Sequence, residues 1–447
     1  MPIKRIFIIF IAFLVSSCGT TQKVQQREVS FEDGIQKINH LVVIYMENHS
    51  FDNLYGEFRG ANGIKNAKRG NFVQVDEKGN PYAYLPEIPR NSSFPTNLPN
   101  ALFNIDQYVP SDKKTPDVTH RFFHNQLQIN GGKMDKFAAY NDSKGLAMGY
   151  YSTKKLPLYP LAKKYTLCDN FFQSVFGGSY VNHVFLISAA IPVWPGAPAS
   201  MIAETDADGR MIKDGIVTPD GYVVNHVLSR NKPYPPKSDT AKLLPSQTMP
   251  TIGDRLSEKG ISWAWYSEGW DDAVAGRKNN FAYNHEPFLY FKQYEEGTEG
   301  RKHLKDQNDF IKAAKSGTLP NVSFVKPGGG NDEHPGGSAV YPSEQLAVNL
   351  INAVLEGPNA KDALVILTYD EFGGFFDHVA PPVIDRWGPG SRIPAILIGP
   401  FAKKGYVDHT QYETVSILSF IEHRWGIEPL AERDKNADPF RNALVFN

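Results

Sequence analysis

The sequence predicts an α/β protein, a three-layer α/β/α sandwich in which helices cover both faces of a mostly parallel central sheet. Short apolar runs typical of buried strands alternate with segments of helical spacing, a pattern that favours a parallel sheet. The chain has 447 residues, of which 41% are hydrophobic and 12% aromatic, enough for one large core with many loops. Long loop-like stretches between the runs indicate insertions.

The predicted strands lie at residues 41–45, 262–266, 322–325, 364–368 and 393–398. Residues 344–355 and 415–425 have the apolar spacing of amphipathic helices. Two stretches, residues 57–115 and 195–250, are rich in Pro, Asn, Gly and Lys. We interpret them as insertions that surround the mouth of a site.

The N-terminus has the pattern of an export signal. Lys4 and Arg5 form a charged start, and the apolar run at residues 6–15 is too short to span a bilayer. The segment VSSC that ends at Cys18 resembles a bacterial lipobox, whose cysteine receives diacylglycerol. This pattern predicts a lipoprotein signal peptide at residues 1–17 and a lipid anchor on Cys18. The alternative is an ordinary cleaved signal peptide with an incidental cysteine.

Behind the signal, residues 18–30 are polar and are interpreted as a flexible tether, and residues 31–447 as one domain. Cys168 is the other cysteine, so no structural disulfide is expected, and its apolar surroundings predict a small buried side chain. The formal net charge of −1 indicates no basic face for nucleic acid. We expect a lipid-anchored protein of the bacterial cell envelope, at the outer membrane or facing the periplasm.

The strand predicted at residues 364–368 is followed by two adjacent acids, Asp370 and Glu371. In open α/β sheets, ligands bind beyond the carboxyl ends of the strands. Adjacent carboxylates at such an end repel each other, and their desolvation is costly unless a cation compensates them. This segment therefore predicts a metal site built from oxygen ligands.

The strand predicted at residues 41–45 repeats this design, because Glu47 and Asn48 follow it. If the two strands are neighbours, these side chains converge with Asp370 and Glu371. Carboxylate and amide oxygens suit Mg²⁺, Ca²⁺ or Mn²⁺ better than a soft metal. The alternative is that Glu47 and Asn48 only cap the helix that follows.

Ser179 is the best candidate for a nucleophile. It follows Gly177 and Gly178, which allow a tight turn in which the backbone can approach a phosphate. A serine hydroxyl is a poor nucleophile at neutral pH, and a bound cation would lower its pKa. The alternative is that Ser179 only belongs to a turn.

Four separated segments resemble the motifs of one bacterial family. They are ENHSFD at residues 47–52, DNFFQSV at 169–175, NDEHP at 331–335 and YDEFGGFFDHV at 369–379. From about residue 36 to its end, the sequence is similar to the family of secreted non-specific phospholipases C and respiratory-burst-inhibiting acid phosphatases. The resemblance implies an alkaline-phosphatase-like fold, with residues 31–447 as a phosphoesterase catalytic domain.

The resemblance also implies roles for the strand-end residues and for the serine. The implied metal ligands are Glu47, Asn48, Ser179, Asp370 and Glu371. Ser179 matches the residue that attacks phosphorus, which is Thr or Ser in the family. The sequence departs from the family directly afterwards, because it has Val181 and His183 where relatives usually carry Pro and Arg.

Three histidines match family positions that would face the phosphate, namely His120, His285 and His334. His124, one helical turn later, competes with His120. The same histidines could instead hold a second metal ion, as in two-metal phosphatases. We expect one divalent ion, with Mg²⁺, Ca²⁺ or Mn²⁺ favoured and Zn²⁺ possible, and a second ion is left open.

Asp377 and His378 would either support the metal site or touch the phosphate. Their alternative role is a helix cap with ordinary packing. Spacing alone does not separate these roles.

We expect an exported, metal-dependent phosphoric ester hydrolase of the acid phosphatase type, which cleaves phosphomonoesters through a phosphoserine. The alternative is a phospholipase C that cleaves phosphodiesters of phospholipids. It ranks second because the larger haemolytic relatives carry C-terminal domains that this sequence lacks. A catalytically inactive surface binding protein is the third candidate. The expected partners are a small phosphate ester or a phospholipid, and the membrane through the anchor.

Overall fold

The computed structural model describes residues 29–68, 72–89 and 91–446. The predicted signal peptide at residues 1–17, the lipidated Cys18 and all but the end of the tether at residues 18–30 lie outside the described residues, and they stay predictions. Within the described part, no helix has the length and apolar character that crossing a membrane requires.

The β-strands of the described ranges are β1 (His40–Met46), β2 (Phe103–Asn104), β3 (Gly149–Tyr150), β4 (Thr166–Cys168), β5 (Phe171–Phe172), β6 (Glu204–Thr205), β7 (Met211–Lys213), β8 (Trp263–Ser267), β9 (Leu304–Asp306), β10 (Val322–Lys326), β11 (Ala363–Tyr369), β12 (Ala395–Ile398), β13 (Tyr406–Asp408) and β14 (Tyr412–Glu413). The longest are β1 and β11, which precede the two predicted sets of metal ligands.

The α-helices of the same ranges are α1 (Phe31–Ile35), α2 (Phe51–Tyr55), α3 (Phe122–Ile129), α4 (Tyr159–Lys164), α5 (Ser179–Ser188), α6 (Ile252–Glu258), α7 (Trp270–Val274), α8 (Gln307–Ser316), α9 (Val340–Leu355), α10 (Ser416–Trp425) and α11 (Glu432–Asn436). Both predicted helices are present, as α9 and α10.

Eight strands form the central sheet in the order β13-β4-β12-β11-β1-β10-β8-β9. Neighbouring strands are parallel, except that β12 runs antiparallel to both β11 and β4. The predicted mostly parallel sheet is therefore confirmed. The antiparallel member is the strand predicted at residues 393–398.

The sheet is covered on both faces. Every residue of β11 is buried, as is every residue of β1 after the first. A strand with one face in water would alternate instead. Helices α8 and α9 pack against β10 and β11, and α4 and α6 pack against β4 and β8. This arrangement confirms the predicted α/β fold class.

All five predicted strands are present, with their ends shifted by a few residues. The three-residue strands β4, β9 and β13 escape prediction because so short a run shows no periodic pattern. Cys168 ends β4 and is a buried free cysteine, as expected.

Candidate active site

The candidate site lies at the carboxyl ends of β1 and β11, which are neighbours in the sheet. Their register pairs Met46 with Tyr369. The next residues along each strand, Glu47 and Asp370, therefore come side by side. The main-chain N–H of Asn48 donates to Asp370 Oδ1 at 3.0 Å and ties the two strand ends together. This register brings the four predicted strand-end ligands to one place.

Oxygen atoms of the implied metal ligands crowd around the side chain of Asn48. Its Oδ1 lies 2.5 Å from Glu371 Oε1 and 3.1 Å from Asp370 Oδ1. The same atom lies 3.1 Å from Glu47 Oε2 and 3.2 Å from Ser179 Oγ. Ser179 Oγ is in turn 3.0 Å from Glu47 Oε2. All five side chains are buried.

Acceptor oxygens packed in this way repel one another unless a positive charge lies among them. Exchanging the oxygen and nitrogen of the Asn48 amide would also remove the conflict, with the oxygen accepting from His334 Nε2. A divalent cation removes it without that exchange, since all of these oxygens are ligands for hard cations. A buried oxygen of Asp370, Oδ2, also has no hydrogen-bond partner among the described residues. The residues present therefore fit a divalent metal ion.

The backbone around Asn48 is held in an unusual conformation. Asn48 has a φ of 67°, in the left-handed region that non-glycine residues seldom adopt. Gly373 has a φ of 63°, and a Cβ atom placed on it would stand 1.8 Å from the carbonyl oxygen of Asn48. The glycine that follows the two acids is thus required for this close approach.

The helix after β1 does not use Glu47 or Asn48 as its cap. Ser50 is the N-cap of α2, and its side chain accepts a hydrogen bond from the main-chain N–H of Asn53. The capping alternative is therefore wrong for these two residues. Both side chains belong to the oxygen cluster instead.

Ser179 is the first residue of helix α5. Gly178 is the N-cap and has no side chain that could accept from the first-turn N–H groups. Gly177 has a φ of 85°, and a Cβ atom there would collide with the backbone of Phe122. The hydroxyl group is therefore presented at a helix N-terminus, where the dipole and the free N–H groups favour an anion such as phosphate.

The protonation states of the three carboxyl groups depend on whether a metal ion is bound. Burial and the neighbouring Glu47 carboxylate raise the pKa of Asp370 well above its usual value, and burial and Asp370 do the same to Glu371. Burial alone would raise the pKa of Glu47 as well, but His285 and Lys326 lower it well below its usual value. Asp370 and Glu371 are thus driven towards their protonated forms, and a metal ion would displace those protons.

His120 and His334 form one side of the site. Their rings meet edge to face with centroids 5.3 Å apart. Each Nδ1 hydrogen-bonds a backbone carbonyl oxygen, that of Val118 for His120 and that of Pro335 for His334. Both Nε2 atoms then face the Asn48 amide, at 3.4 Å and 2.8 Å. Burial lowers the pKa of His120 below its usual value.

The third predicted histidine, His285, lies apart from this pair and against Glu47. Its Nδ1 is 3.1 Å from Glu47 Oε1, and its ring stacks on that of His183 with centroids 4.8 Å apart. Lys326 reaches the same oxygen, with Nζ 3.2 Å from Glu47 Oε1. The structure therefore places His285 against Glu47 and away from the other two histidines, and its role towards a phosphate stays a prediction.

His124, the competing candidate one helical turn after His120, does not join the pair at Asn48. Its Nδ1 lies 3.6 Å from Asp214 Oδ2. Asp214 also forms an ion pair with Arg121 and belongs to the predicted insertion at residues 195–250. This insertion therefore packs directly beside the segment that carries His120.

Asp377 and His378 belong to a separate buried network. Asp377 accepts a hydrogen bond from the main-chain N–H of Asp52 in the first turn of α2 and from Arg392 Nε at 2.8 Å. His378 Nδ1 lies 2.6 Å from Asp52 Oδ2. These side chains could hold a cation by composition, but the guanidinium of Arg392 already supplies the positive charge. Helix capping and packing therefore account for both residues.

Two residues of the site, Lys326 and His183, are not among those that the sequence predicts. The sequence does contain a signal for Lys326. This lysine stands at the end of an apolar strand, in a position similar to that of Glu47. His183 lies four residues after Ser179, and its Nδ1 contacts the carbonyl oxygen of Ser179 at 2.9 Å. Helical spacing would have placed it there, but the start of a helix at Ser179 was not predicted.

The fold and the site define a class of protein. A parallel sheet, oxygen ligands at two strand ends and a serine at a helix N-terminus are the parts of a metal-assisted hydrolase. The chain belongs to the Phosphoesterase family, whose model matches residues 38–428.

The chain is similar to the non-hemolytic phospholipase C of Pseudomonas aeruginosa, with 23% identity over 92% of this chain and 56% of that protein. It is also similar to phospholipase C B of Mycobacterium tuberculosis, with 24% identity over 87% of this chain and 74% of that protein. It thus spans little more than half the length of the first relative. Among solved structures, it is similar to a protein in the alkaline phosphatase superfamily from Vibrio parahaemolyticus, with 11% identity, a TM-score of 0.35, and coverage of 73% and 75%.

Proposed function

We propose that the protein hydrolyses phosphoric esters by attack of Ser179 on phosphorus, through a phosphoserine. The supporting observation is the position of Ser179 Oγ, 3.0 Å from Glu47 Oε2 and 3.2 Å from Asn48 Oδ1, within the oxygen cluster. A divalent ion held by Glu47, Asn48, Ser179, Asp370 and Glu371 would lower the pKa of the hydroxyl group and offset charge on the phosphate. The oxygen set favours one Mg²⁺, Ca²⁺ or Mn²⁺ ion over Zn²⁺.

Different residues of the chain carry out different steps of the reaction. The N-terminus of α5 directs N–H groups at the phosphate oxygens. Ser179 Oγ, which has released its proton to solvent because a bound cation would lower its pKa, forms a bond to phosphorus as the bond to the leaving alcohol breaks. His120 or His334 donates a proton from Nε2 to the leaving oxygen. The same imidazole then accepts a proton from the water that hydrolyses the phosphoserine, which restores the serine and releases phosphate.

A phosphomonoester is the substrate class that the charges of the site favour. A monoester dianion carries one more negative charge than a diester. The pair His120 and His334 offers two imidazoles with Nε2 atoms aimed at one place, and Lys326 adds a buried positive charge behind Glu47. Groups of this kind stabilise charge on the phosphoryl oxygens.

A phospholipase C reaction is the second candidate, and the names of the similar proteins from Pseudomonas aeruginosa and Mycobacterium tuberculosis support it. Such a reaction would use the same serine and the same metal ligands on a phosphodiester. We further propose that a lipid on Cys18 holds the enzyme at a membrane of the bacterial cell envelope, which would bring it close to phospholipids.

The substrate classes are separated by comparing purified protein on p-nitrophenyl phosphate, bis(p-nitrophenyl) phosphate and p-nitrophenyl phosphorylcholine with Mn²⁺ present. Ser179→Ala serves as the blank for each ester. A higher kcat/KM on the monoester supports the first candidate, and a higher value on the choline diester supports the second. A wild-type protein that cleaves none of the three would contradict the proposed function.

A further inference from the structure

We propose that Lys326 is a fixed positive charge that stands where a second metal ion would bind beside Glu47, so that one divalent ion is enough for the reaction. This role rests on the proposed function, because Glu47 is one of the metal ligands there. Lys326 does not touch the substrate in this role. It acts through Glu47, as a positioning and charge-balancing residue.

Lys326 is buried and paired on two sides. It ends β10, which is the neighbour of β1 in the sheet, and its side chain is 1% exposed. Its Nζ lies 3.2 Å from Glu47 Oε1 and 3.3 Å from Asp332 Oδ2, and it donates to the carbonyl oxygen of Pro327 at 2.9 Å. Two buried carboxylates within ion-pair distance of Nζ stabilise the charged form of the lysine.

The surroundings of Glu47 Oε1 have the composition of a metal site. His285 Nδ1 and His183 Nε2 lie 3.1 Å and 3.6 Å from this oxygen, and all three residues are buried. Neither imidazole nitrogen has another hydrogen-bond partner within the described part of the chain. One carboxylate and two imidazoles are a common donor set for Zn²⁺. Lys326 Nζ contacts the same oxygen. A metal ion bound there would therefore be repelled by the nearby ammonium group.

The two oxygens of Glu47 have different partners. Oε2 faces Ser179 Oγ at 3.0 Å, inside the oxygen cluster, and Oε1 faces Lys326 at 3.2 Å. This contact fixes the carboxylate so that one oxygen is left for the metal ion. The three carboxylates of Glu47, Asp370 and Glu371 carry more negative charge than one divalent ion neutralises. A phosphate anion would therefore be repelled by the remaining negative charge. Lys326 offsets this excess from behind Glu47.

Opposite effects are expected from two substitutions in the pair of Lys326 and Asp332. Lys326→Met removes a positive charge, so inorganic phosphate should bind roughly tenfold more weakly at saturating Mn²⁺, while Mn²⁺ itself binds at least as tightly. Asp332→Asn removes a negative charge and leaves Lys326 beside Glu47. Phosphate should then bind about threefold more tightly, and Mn²⁺ more weakly. Isothermal titration calorimetry of the full chain in detergent measures both ligands.

Two further variants complete the experiment. Lys326→Arg keeps the charge and should recover most of the phosphate affinity that Lys326→Met loses. Lys305→Met makes the matched change at an exposed position of β9 and should bind both ligands as the wild type does. Circular dichroism shows whether each variant folds. If Lys326→Met does not fold, the proposal is tested by Asp332→Asn alone, because that variant retains the buried lysine and its contact with Glu47. Tighter phosphate binding by Asp332→Asn would then support the proposal.

An unchanged phosphate affinity in Lys326→Met would overturn this role. Joint loss of Mn²⁺ and phosphate in that variant would overturn it too, because the lysine would then only hold the fold of the site. Weaker phosphate binding by Asp332→Asn would have the same consequence. In each case a wild type that still binds Mn²⁺ and cleaves esters leaves the proposed function intact. A wild type that does neither overturns both.

Discussion

The main-chain N–H of Asn48 donates to the side chain of Asp370 at 3.0 Å, across the ends of β1 and β11. The main-chain N–H of Asp370 donates in return to the carbonyl oxygen of Met46 at 3.0 Å. The main-chain ladder of this parallel pair therefore continues one residue past β11, and the Asp370 side chain extends the link past β1, which holds Glu47 next to Asp370. Ligands set by the backbone of two central strands are held more rigidly than ligands on loops.

Asp370→Asn and Glu47→Gln are each expected to abolish metal binding, because neighbouring strand ends must share one cation. Loss of the activating charge should lower kcat/KM by on the order of a hundredfold or more. Elemental analysis after gel filtration and a chromogenic phosphate ester measure the two effects. Asp309→Asn, at the surface of α8, is the control for loss of a carboxylate elsewhere. Full metal content with near-normal rates in both site variants would refute the ligand assignment.

Ser179→Ala is expected to remove turnover, on the order of a thousandfold or more, and to leave the fold and most metal binding intact. The hydroxyl group is the attacking atom, so wild-type protein quenched during turnover should carry phosphate on Ser179, which peptide mass spectrometry detects. Ser179→Thr keeps a hydroxyl group and is the matched control, with partial activity expected. Retained activity in the alanine variant would mean that water attacks phosphorus directly.

The activity is expected to be highest on the acid side of neutrality. An ordinary histidine pKa lies near ~6.5, and burial lowers that of His120. The proton that His120 donates is therefore lost as pH rises towards neutrality, and kcat/KM should fall in the same direction. His120→Asn should lower kcat roughly a hundredfold and flatten this part of the profile, whereas His124→Asn should leave its shape unchanged.

A kcat/KM profile that still rises above pH ~8, together with two metal ions per chain, would speak against this use of His120. A second metal ion needs neutral histidines, and its binding would strengthen as they lose their protons. The pH profile and the metal count therefore separate the two arrangements.

The strand-end positions of Glu47, Asn48, Asp370 and Glu371 could be predicted because these residues follow long apolar runs that end abruptly in polar or charged residues. The contact of Lys326 with Glu47 could not, since it depends on β10 lying next to β1 in the sheet. A single sequence does not state the order of strands. The antiparallel direction of β12 is hidden for the same reason, because an apolar run reads alike in both directions.

The histidines show a second limit of the sequence. His120, His285 and His334 each lie in a loop or a short helical turn, where spacing does not predict direction. The structure separates His285 from the other two through its contact with Glu47 Oε1, a contact across more than two hundred residues. Motif resemblance identified these residues, but only the packing of the loops decides which partner each one faces.

Cys18→Ser is expected to release the protein from the membrane fraction, because the segment VSSC predicts that this cysteine carries the lipid. A diacylglycerol with an added acyl chain gives stable attachment, whereas a single chain does not. Fractionation followed by immunoblotting measures the change, and Ser17→Ala is the control for a neighbouring substitution. A wild type that is already soluble, with an unmodified Cys18 by mass spectrometry, would refute the anchor.

Glu344 makes the stability of the protein depend on pH. It is buried in α9, where Oε2 accepts from the main-chain N–H of Leu158 at 2.8 Å, and burial raises its pKa to about 8. Between about pH 5 and pH 8 the folded protein holds this proton and the unfolded chain has released it. The free energy of unfolding therefore falls as pH rises through this window. Glu344→Gln should remove up to about 1.4 kcal/mol of that fall per pH unit.

Urea unfolding of the wild type and of Glu344→Gln at pH 5, 6.5 and 8 measures this slope. Glu286 and Glu422, whose pKa values burial raises to about 8 and 9, contribute the same slope to both proteins. The Glu344 carboxylate also raises the pKa of Glu333, so the difference between the two proteins reports Glu344 together with its effect on this neighbour. Glu356→Gln, at the exposed end of the same helix, should retain the wild-type slope. Equal slopes in Glu344→Gln and the wild type would mean that Glu344 is ionised in the folded protein throughout this range.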